Sequence, residues 1–157
     1  MPITVGLISD THGLLRAAAM YELEGVDLIL HAGDVGSRDV LLELAAIAPV
    51  QAVYGNVDDI HMPELEQHRW LTLEGWRLHV SHGHEVRRPS PEVLLGQYPD
   101  ADLLVFGHTH RSVVHRDGAR LVVNPGAAGP RRFDITPSLA RLRLAPGVAD
   151  VEIVPIT

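Results

Sequence analysis

Ile3-Thr4-Val5-Gly6-Leu7-Ile8-Ser9-Asp10-Thr11-His12-Gly13 is the stretch on which the reading of this chain turns. Its first six residues are mostly apolar and β-branched, the composition of a central strand buried on both faces. They stop at a polar cluster holding an acid and a histidine. Leu14 to Glu24, rich in alanine and leucine and closed by Gly25, predicts a helix. Val26 to Leu30 follows as a second buried strand and runs into His31-Ala32-Gly33-Asp34. Ser37 stands where it can cap a second helix reaching Ala48, with Pro49 as the stop. Val50 to Tyr54 is a third strand, ending at Gly55-Asn56-Val57-Asp58. Strand, helix, strand, helix, strand with short links implies a parallel sheet with right-handed crossovers. Ligands in such sheets gather beyond the carboxyl ends of the strands. Asp10, His12, Asp34 and Asn56 all fall at that edge.

The second half changes character. Trp70-Leu71-Thr72-Leu73 and Arg77-Leu78-His79-Val80 flank Glu74-Gly75 as a hairpin that ends at Ser81-His82-Gly83-His84. Ser90 to Tyr98 reads as a short helix, with Pro91 where a first-turn proline is tolerated. Asp102 to Phe106 is a strand running into Gly107-His108-Thr109-His110. Side chains two apart on extended backbone point the same way, whereas a turn past the strand splays them toward different neighbours. Ser112 to Arg116 and Arg120 to Val123 flank Asp117-Gly118, a second hairpin. Asn124-Pro125-Gly126 and Gly129-Pro130 mark tight turns. Leu139 to Leu144 and Val151 to Pro155 alternate as two last strands around Pro146-Gly147. The expectation is α/β layering, with a second, largely antiparallel sheet packed on the first, in one domain over residues 1–157.

Composition excludes several classes of function. With 157 residues the chain is long enough to bury about two-thirds of its unfolded surface. The absence of cysteine removes disulfides, thiolate zinc sites and cysteine nucleophiles together, leaving nitrogen and oxygen as metal ligands. All 13 basic residues are arginine, yet the formal charge is −7, which argues against general nucleic-acid binding. No apolar run approaches the ~20 residues of a membrane span, and the N-terminus lacks a basic-then-apolar leader pattern. A cytoplasmic globule, free of membrane and open to homo-oligomer formation, is the expectation.

The chemistry comes from adding the strand ends together. Asp10, His12, Asp34, Asn56, His82, His108 and His110 make an all-N/O set of seven groups. Neutral imidazole is the commonest side-chain metal ligand. One divalent ion at four to six coordination cannot use seven side chains and leave room for a substrate, whereas two ions sharing a carboxylate can. Asp34 is the expected bridge, because its strand would lie between the other donors. Two divalent ions against two carboxylates leave a formal charge of about +2, which attracts an anion. Ions about 3.5–4 Å apart can clamp two phosphoryl oxygens and bring a bound water's pKa to near 7, so that hydroxide attacks in line.

In their order, Asp10-x-His12, Gly33-Asp34, Gly55-Asn56, His82, Gly107-His108-Thr109-His110 and Asn124-Pro125-Gly126 resemble the calcineurin-like metallophosphoesterase superfamily. The match runs over roughly residues 3 to 130 and looks like the small uncapped phosphodiesterase branch of bacteria and archaea. The resemblance implies a two-sheet α/β sandwich with helix-sheet-sheet-helix layers. It implies a metal-dependent phosphodiesterase acting on a small phosphorylated substrate through two divalent ions and a metal-bound hydroxide. Manganese is the expected metal, with iron, zinc or nickel as alternatives. By resemblance, Asp10, His12, Asp34 and His110 would hold one ion, and Asp34, Asn56, His82 and His108 the other. Asn56 would also meet a substrate phosphate oxygen, a catalytic contact as well as a ligand. The fold is similar, too, to the metallophosphoesterase-like subunit of the retromer coat, so a non-catalytic scaffold that binds partner proteins is the rival reading. The intact donor set favours an enzyme.

Two positions depart from the family pattern. Many members carry a histidine after the asparagine that protonates the leaving group, and this chain has Val57. Valine gives no proton, so a contribution of roughly 10²–10⁴-fold must come from elsewhere or be missing. Asp58, which would orient that histidine, is then expected to be a turn or capping carboxylate. His84, two residues past His82, is the candidate substitute donor. Ala127, where serine is common, is expected to be a structural change. His31 is expected to be a satisfied core histidine, and His61, His68, His79 and His115 ordinary ones. Arg131 and Arg132, or Arg87 and Arg88, are candidates to grip a distal phosphate, since guanidinium suits that geometry.

Overall fold

In the computed structural model, which describes residues 2–58, 62, 64–132 and 134–156, the predicted alternation of strand and helix is present; His61 lies outside the described residues. The order is β1 (Ile3–Ile8), α1 (Ala17–Glu22), β2 (Leu28–His31), α2 (Arg38–Ala45), β3 (Val50–Val53), β4 (Leu65–Glu66), β5 (His68–Leu73) and β6 (Trp76–Ser81). It continues with α3 (Pro91–Gln97), β7 (Leu103–Val105), β8 (Val113–Asp117), β9 (Arg120–Asn124), β10 (Ser138–Ala145) and β11 (Val148–Pro155). Among the described residues one sheet runs β11-β10-β1-β2-β3-β4 and the other β5-β6-β7-β9-β8.

Register brings the strand ends level. In the first sheet Ile8 pairs with His31, and His31 with Ala52, all in parallel. In the second, Val80 pairs with Val105 and Val105 with Val123, again in parallel. The sheets bury Val5, Leu7 and Leu30 against Leu78, Leu103 and Leu121, each wholly enclosed. Full burial of such side chains stabilises by about 1.5–3 kcal/mol apiece. On the outer face of the first sheet Ala19, Leu23, Val40 and Leu44 of the α1 and α2 region pack against Ile8 and Ile29. On the second sheet Leu94 and Leu95 of α3 cover Leu104, Phe106 and Val122. The layers are helix, sheet, sheet and helix, as the resemblance implied.

Two expectations need correction, the direction of the second sheet's strands and the length of the first two helices. The second sheet is not largely antiparallel: β6, β7 and β9 run parallel, and only the flanking β5 and β8 are antiparallel. The β10–β11 hairpin joins the first sheet beside β1, where β10 is apolar enough to be buried along most of its length. Both leading helices are shorter than their composition suggests. Left-handed backbone at His12 and Gly13 turns the chain away from β1, and Arg16 is still extended, so α1 begins only at Ala17. Ser37 occupies the cap position of α2, but its hydroxyl makes no capping bond, whereas Ser90 caps α3 by accepting from the Val93 amide at 3.2 Å.

Candidate metal centre

The loops leaving β1, β2, β3, β6 and β7 bring their polar side chains to one rim. His110 Nε2 lies 3.3 Å from Asp10 Oδ1 and 3.4 Å from His12 Nε2. His82 Nε2 lies 3.2 Å from Asp34 Oδ2, 3.1 Å from Asn56 Oδ1 and 3.9 Å from Asp10 Oδ1. His12 Nε2 is 3.7 Å from Asp34 Oδ2 and 3.8 Å from Asp10 Oδ1. Asp10, His12 and His110 each offer a ligand atom within 4.8 Å of the others, and so do Asp10, Asp34 and His82. Asp10 is common to both trios, while Asp34 faces His12 as well as His82, so both carboxylates look onto both halves. The His108 ring stands edge-on to His82 with centroids 5.1 Å apart.

The set fits a cation. Asp10 is wholly buried, and its Oδ1 has no hydrogen-bond partner although three imidazole nitrogens surround it. A buried carboxylate oxygen without a partner is costly unless positive charge is supplied. The other oxygens of the two acids are occupied: Asp10 Oδ2 accepts from the Ser9 hydroxyl at 2.6 Å and the His108 amide at 3.1 Å. Asp34 Oδ1 accepts from the Val57 amide at 3.0 Å. His82 Nδ1 donates to the Ala32 carbonyl at 2.8 Å, which fixes the ring with Nε2 aimed inward.

Backbone shape makes this convergence feasible. Asp10 (φ 55°), His12 (48°), Asp34 (54°), His108 (71°) and His110 (63°) are all left-handed. Such residues are uncommon outside glycine and gather where function demands them. The neighbouring glycines answer a different need, close approach. A Cβ on Gly55 would strike the Asp34 carboxylate, and one on Gly107 would strike the Ser9 hydroxyl and Asp10. Asn124 braces the same loop, donating to the Gly107 carbonyl at 3.1 Å and the Thr109 hydroxyl at 3.0 Å.

Burial would raise the Asp34 carboxyl, but His82, the Val57 amide and His12 outweigh it and bring it down to about 2. Burial likewise opposes ionisation of Asp10, and His110, His82 and Ser9 still hold it below the usual range. His82 is raised, its burial being outweighed by Asp34, Asp10 and the Ala32 carbonyl. His12 and His108 are lowered, chiefly by burial, with Arg132 adding to the effect at His12 and His82 at His108.

The remaining candidates separate. Val57 exposes 56% of its surface and contributes only its amide to Asp34. Asp58 is structural: it accepts from the amides of Val35 at 3.0 Å, Gly36 at 2.9 Å and Gly55 at 2.8 Å. His84 lies beside the centre, 5.3 Å from His82 and 6.4 Å from His108 between ring centroids, with a buried Nδ1 that has no partner. Arg132 lines a cavity of about 220 Å³ with His108, Thr109, His110, Arg111 and Ile135, whereas Arg131 does not. Arg87 and Arg88 are exposed in the loop before α3. His31 is a fully buried core residue, accepting from the Gly33 amide at Nδ1 and meeting Thr11 Oγ1 3.0 Å from Nε2. His79 stacks on Tyr98 at 3.7 Å and meets His68 at 3.0 Å, while His115 lies on β8. The sequence reading missed Ser9 and Arg111. Each directly adjoins a candidate ligand, the one signal that marked it.

Two facing sheets that pool carboxylates and imidazoles at aligned strand ends define a two-sheet α/β sandwich with a candidate metal centre at one rim. Residues 3–146 match the calcineurin-like phosphoesterase superfamily domain. The chain is 37% identical over 158 residues to a probable metallophosphoesterase of Methanothermobacter thermautotrophicus, across 96% of this chain and 91% of that one. It is 32% identical over 143 residues to phosphodiesterase YfcE of Escherichia coli, across 76% of each. Among solved structures, Vacuolar Protein Sorting 29 from Cryptosporidium parvum shares the fold with a TM-score of 0.84 and 23% identity, across 99% and 98% of the two chains. This chain belongs to the calcineurin-like phosphoesterase superfamily. Among the described residues no helix is long and apolar enough to cross a membrane.

Proposed function

We propose that this chain is a phosphodiesterase dependent on two divalent ions, with manganese the expected metal, working as a single cytoplasmic domain. The observation that carries the reading is the unpartnered, buried Asp10 Oδ1 facing His12, His82 and His110. In this reading Asp10, His12, Asp34 and His110 hold one ion, and Asp34, Asn56, His82 and His108 the other. Such a pair would supply positive charge for a phosphoryl group and lower the pKa of a water toward neutral.

The chain's own groups do the positioning. Ser9 and the His108 amide fix Asp10, the Val57 amide fixes Asp34, and the Ala32 carbonyl fixes the His82 tautomer. Asn56 orients a phosphate oxygen. His84 is the proton donor to the leaving oxygen, supported by its nearness to His82 and His108. Burial, ahead of the His82 charge, lowers its pKa, and Val57, where the family's usual donor would stand, has no proton to give. Activity then depends on leaving-group acidity, and activated aryl diesters are cleaved far better than alkyl ones.

The test is metal-free protein titrated with manganese, zinc, nickel and iron and assayed on bis(p-nitrophenyl) phosphate, p-nitrophenyl phosphate and cyclic nucleotides. Two ions per chain and metal-dependent hydrolysis favouring the diester are expected. Uptake of a single ion overturns the dinuclear assignment, and metal-independent background on every ester overturns the enzyme reading in favour of a scaffold.

A further inference from the structure

Arg16, Arg38, Arg69, Arg116, Arg120 and Arg141 are each engaged by a carbonyl or carboxylate. Arg111 and Arg132, by contrast, have no side-chain hydrogen bond or ion pair among the described residues. Both line the cavity of about 220 Å³ whose other wall is His108 and His110, and no carboxylate lines it. A second cavity of about 550 Å³ shares Arg111 and Ile135 with the first and adds Ser112, Asp134 and Thr136. Arg111 and Ile135 therefore stand between the cavity beside the candidate metal ligands and a larger, polar recess.

We propose that Arg111 and Arg132 form a second phosphate subsite beside the metal centre, so that the preferred substrate is a phosphodiester bearing a further phosphate on a hydroxyl-rich arm. This rests on the phosphodiesterase reading above. The chain is acidic overall, at −7, so a substrate with two phosphates approaches against the net field unless positive charge is gathered locally. Guanidinium is the side chain suited to phosphate, through paired N–H donors that carry full charge. The second phosphate belongs in the inner cavity, because Asp134 in the outer one repels an anion. Ser112, Thr136 and Asp134 instead suit neutral hydroxyls, as on a sugar or polyol. Arg131 directly precedes Arg132 in sequence but does not line this cavity, so the pair comes from two loops rather than from adjacent residues.

Two aryl diesters with the same scissile bond separate the contributions: the p-nitrophenyl ester of thymidine 5′-phosphate, and the same ester carrying a 3′-phosphate. With manganese-loaded protein, the 3′-phosphorylated ester should show a kcat/KM about tenfold higher or more, expressed mainly in KM, the effect of one or two charge-assisted hydrogen bonds. That ratio should fall to near one in the Arg111→Gln/Arg132→Gln double variant and be partly kept in the Arg111→Lys/Arg132→Lys variant. Calorimetry provides a readout free of turnover: thymidine 3′,5′-bisphosphate should bind more tightly than thymidine 5′-monophosphate by a similar factor, again only with the arginines present. Circular dichroism checks that both variants keep the fold. A ratio near one in the native protein, or one that the glutamines leave unchanged, overturns the subsite alone. Failure to turn over either ester overturns the phosphodiesterase reading and the subsite with it.

Discussion

His110 Nε2 and Asp10 Oδ1 stand 3.3 Å apart, although one leaves β7 of the second sheet and the other β1 of the first. The contact exists only when the two sheets are stacked in register, so assembly of the core and assembly of the centre are one event. Helices and hairpins could each form without it; the cage for a cation could not.

Asp10 belongs to one ion in the proposed arrangement, yet it stands in both candidate trios, so its loss is a direct probe of the centre. Asp10→Asn keeps the shape but removes the charge, and we expect metal content by elemental analysis to fall below two ions per chain. Ser9→Ala is the milder companion. It deletes the 2.6 Å hydrogen bond to Asp10 Oδ2 and should weaken metal affinity about 10–100-fold, the usual effect of losing a ligand's support. Unaltered metal affinity in Ser9→Ala would show that Asp10 is held by something else.

Val57→His restores a proton donor at an exposed position whose amide already anchors Asp34. Alkyl diesters should gain, by up to roughly 10²-fold, while aryl diesters change little. The measurement is the slope of log kcat/KM against leaving-group pKa. An unchanged slope removes the missing donor as the cause of any aryl preference.

Asp58→Ala should act on stability before chemistry. It leaves the Val35, Gly36 and Gly55 amides without their acceptor and loosens the turn against Asp34. A loss of roughly 2 kcal/mol or more is expected from urea unfolding, given about 1–3 kcal/mol for each buried group left unpaired. A midpoint within error of the native protein would contradict the structural role.

For metal-free protein, stability should rise between about pH 4 and pH 6.5. Burial lowers His31 to about 4, and burial with the neighbouring His68 charge does the same to His79, while an unfolded chain protonates both near 6.5. In that window the unfolded chain binds more protons, so each fall in pH favours it. A shift of this size on one histidine amounts to roughly 3 kcal/mol at most. Asp34, depressed to about 2, keeps its contribution until the pH falls toward that value, and raised His82 loses its own as pH climbs through its folded pKa. Urea midpoints at a series of pH values measure the slope, which His31→Gln should reduce. A flat profile would show that neither histidine is held neutral.

Much of this was legible from residue order. Apolar runs stopping at Asp10, Asp34 and Asn56 announced a parallel sheet with a polar edge, and the His108-Thr109-His110 pair marked a second sheet's share of it. Which strands neighbour which was not legible. Short apolar strands such as β7 look alike whether their partner is parallel or antiparallel, and long-range pairing decides. The left-handed residues were hidden for a related reason: aspartate and histidine tolerate that region but do not demand it. The separation of Arg132 from Arg131 depends on loop paths that two adjacent arginines cannot reveal.

The left-handed conformation of five candidate ligand residues has an evolutionary consequence. Glycine at any of these places relieves a strain of order 1 kcal/mol while deleting a donor. Selection for sturdiness and selection for the proposed metal centre would therefore pull in opposite directions at the same codons. A lineage released from the need to hydrolyse anything drifts downhill toward an inert, hardier platform of unchanged outline.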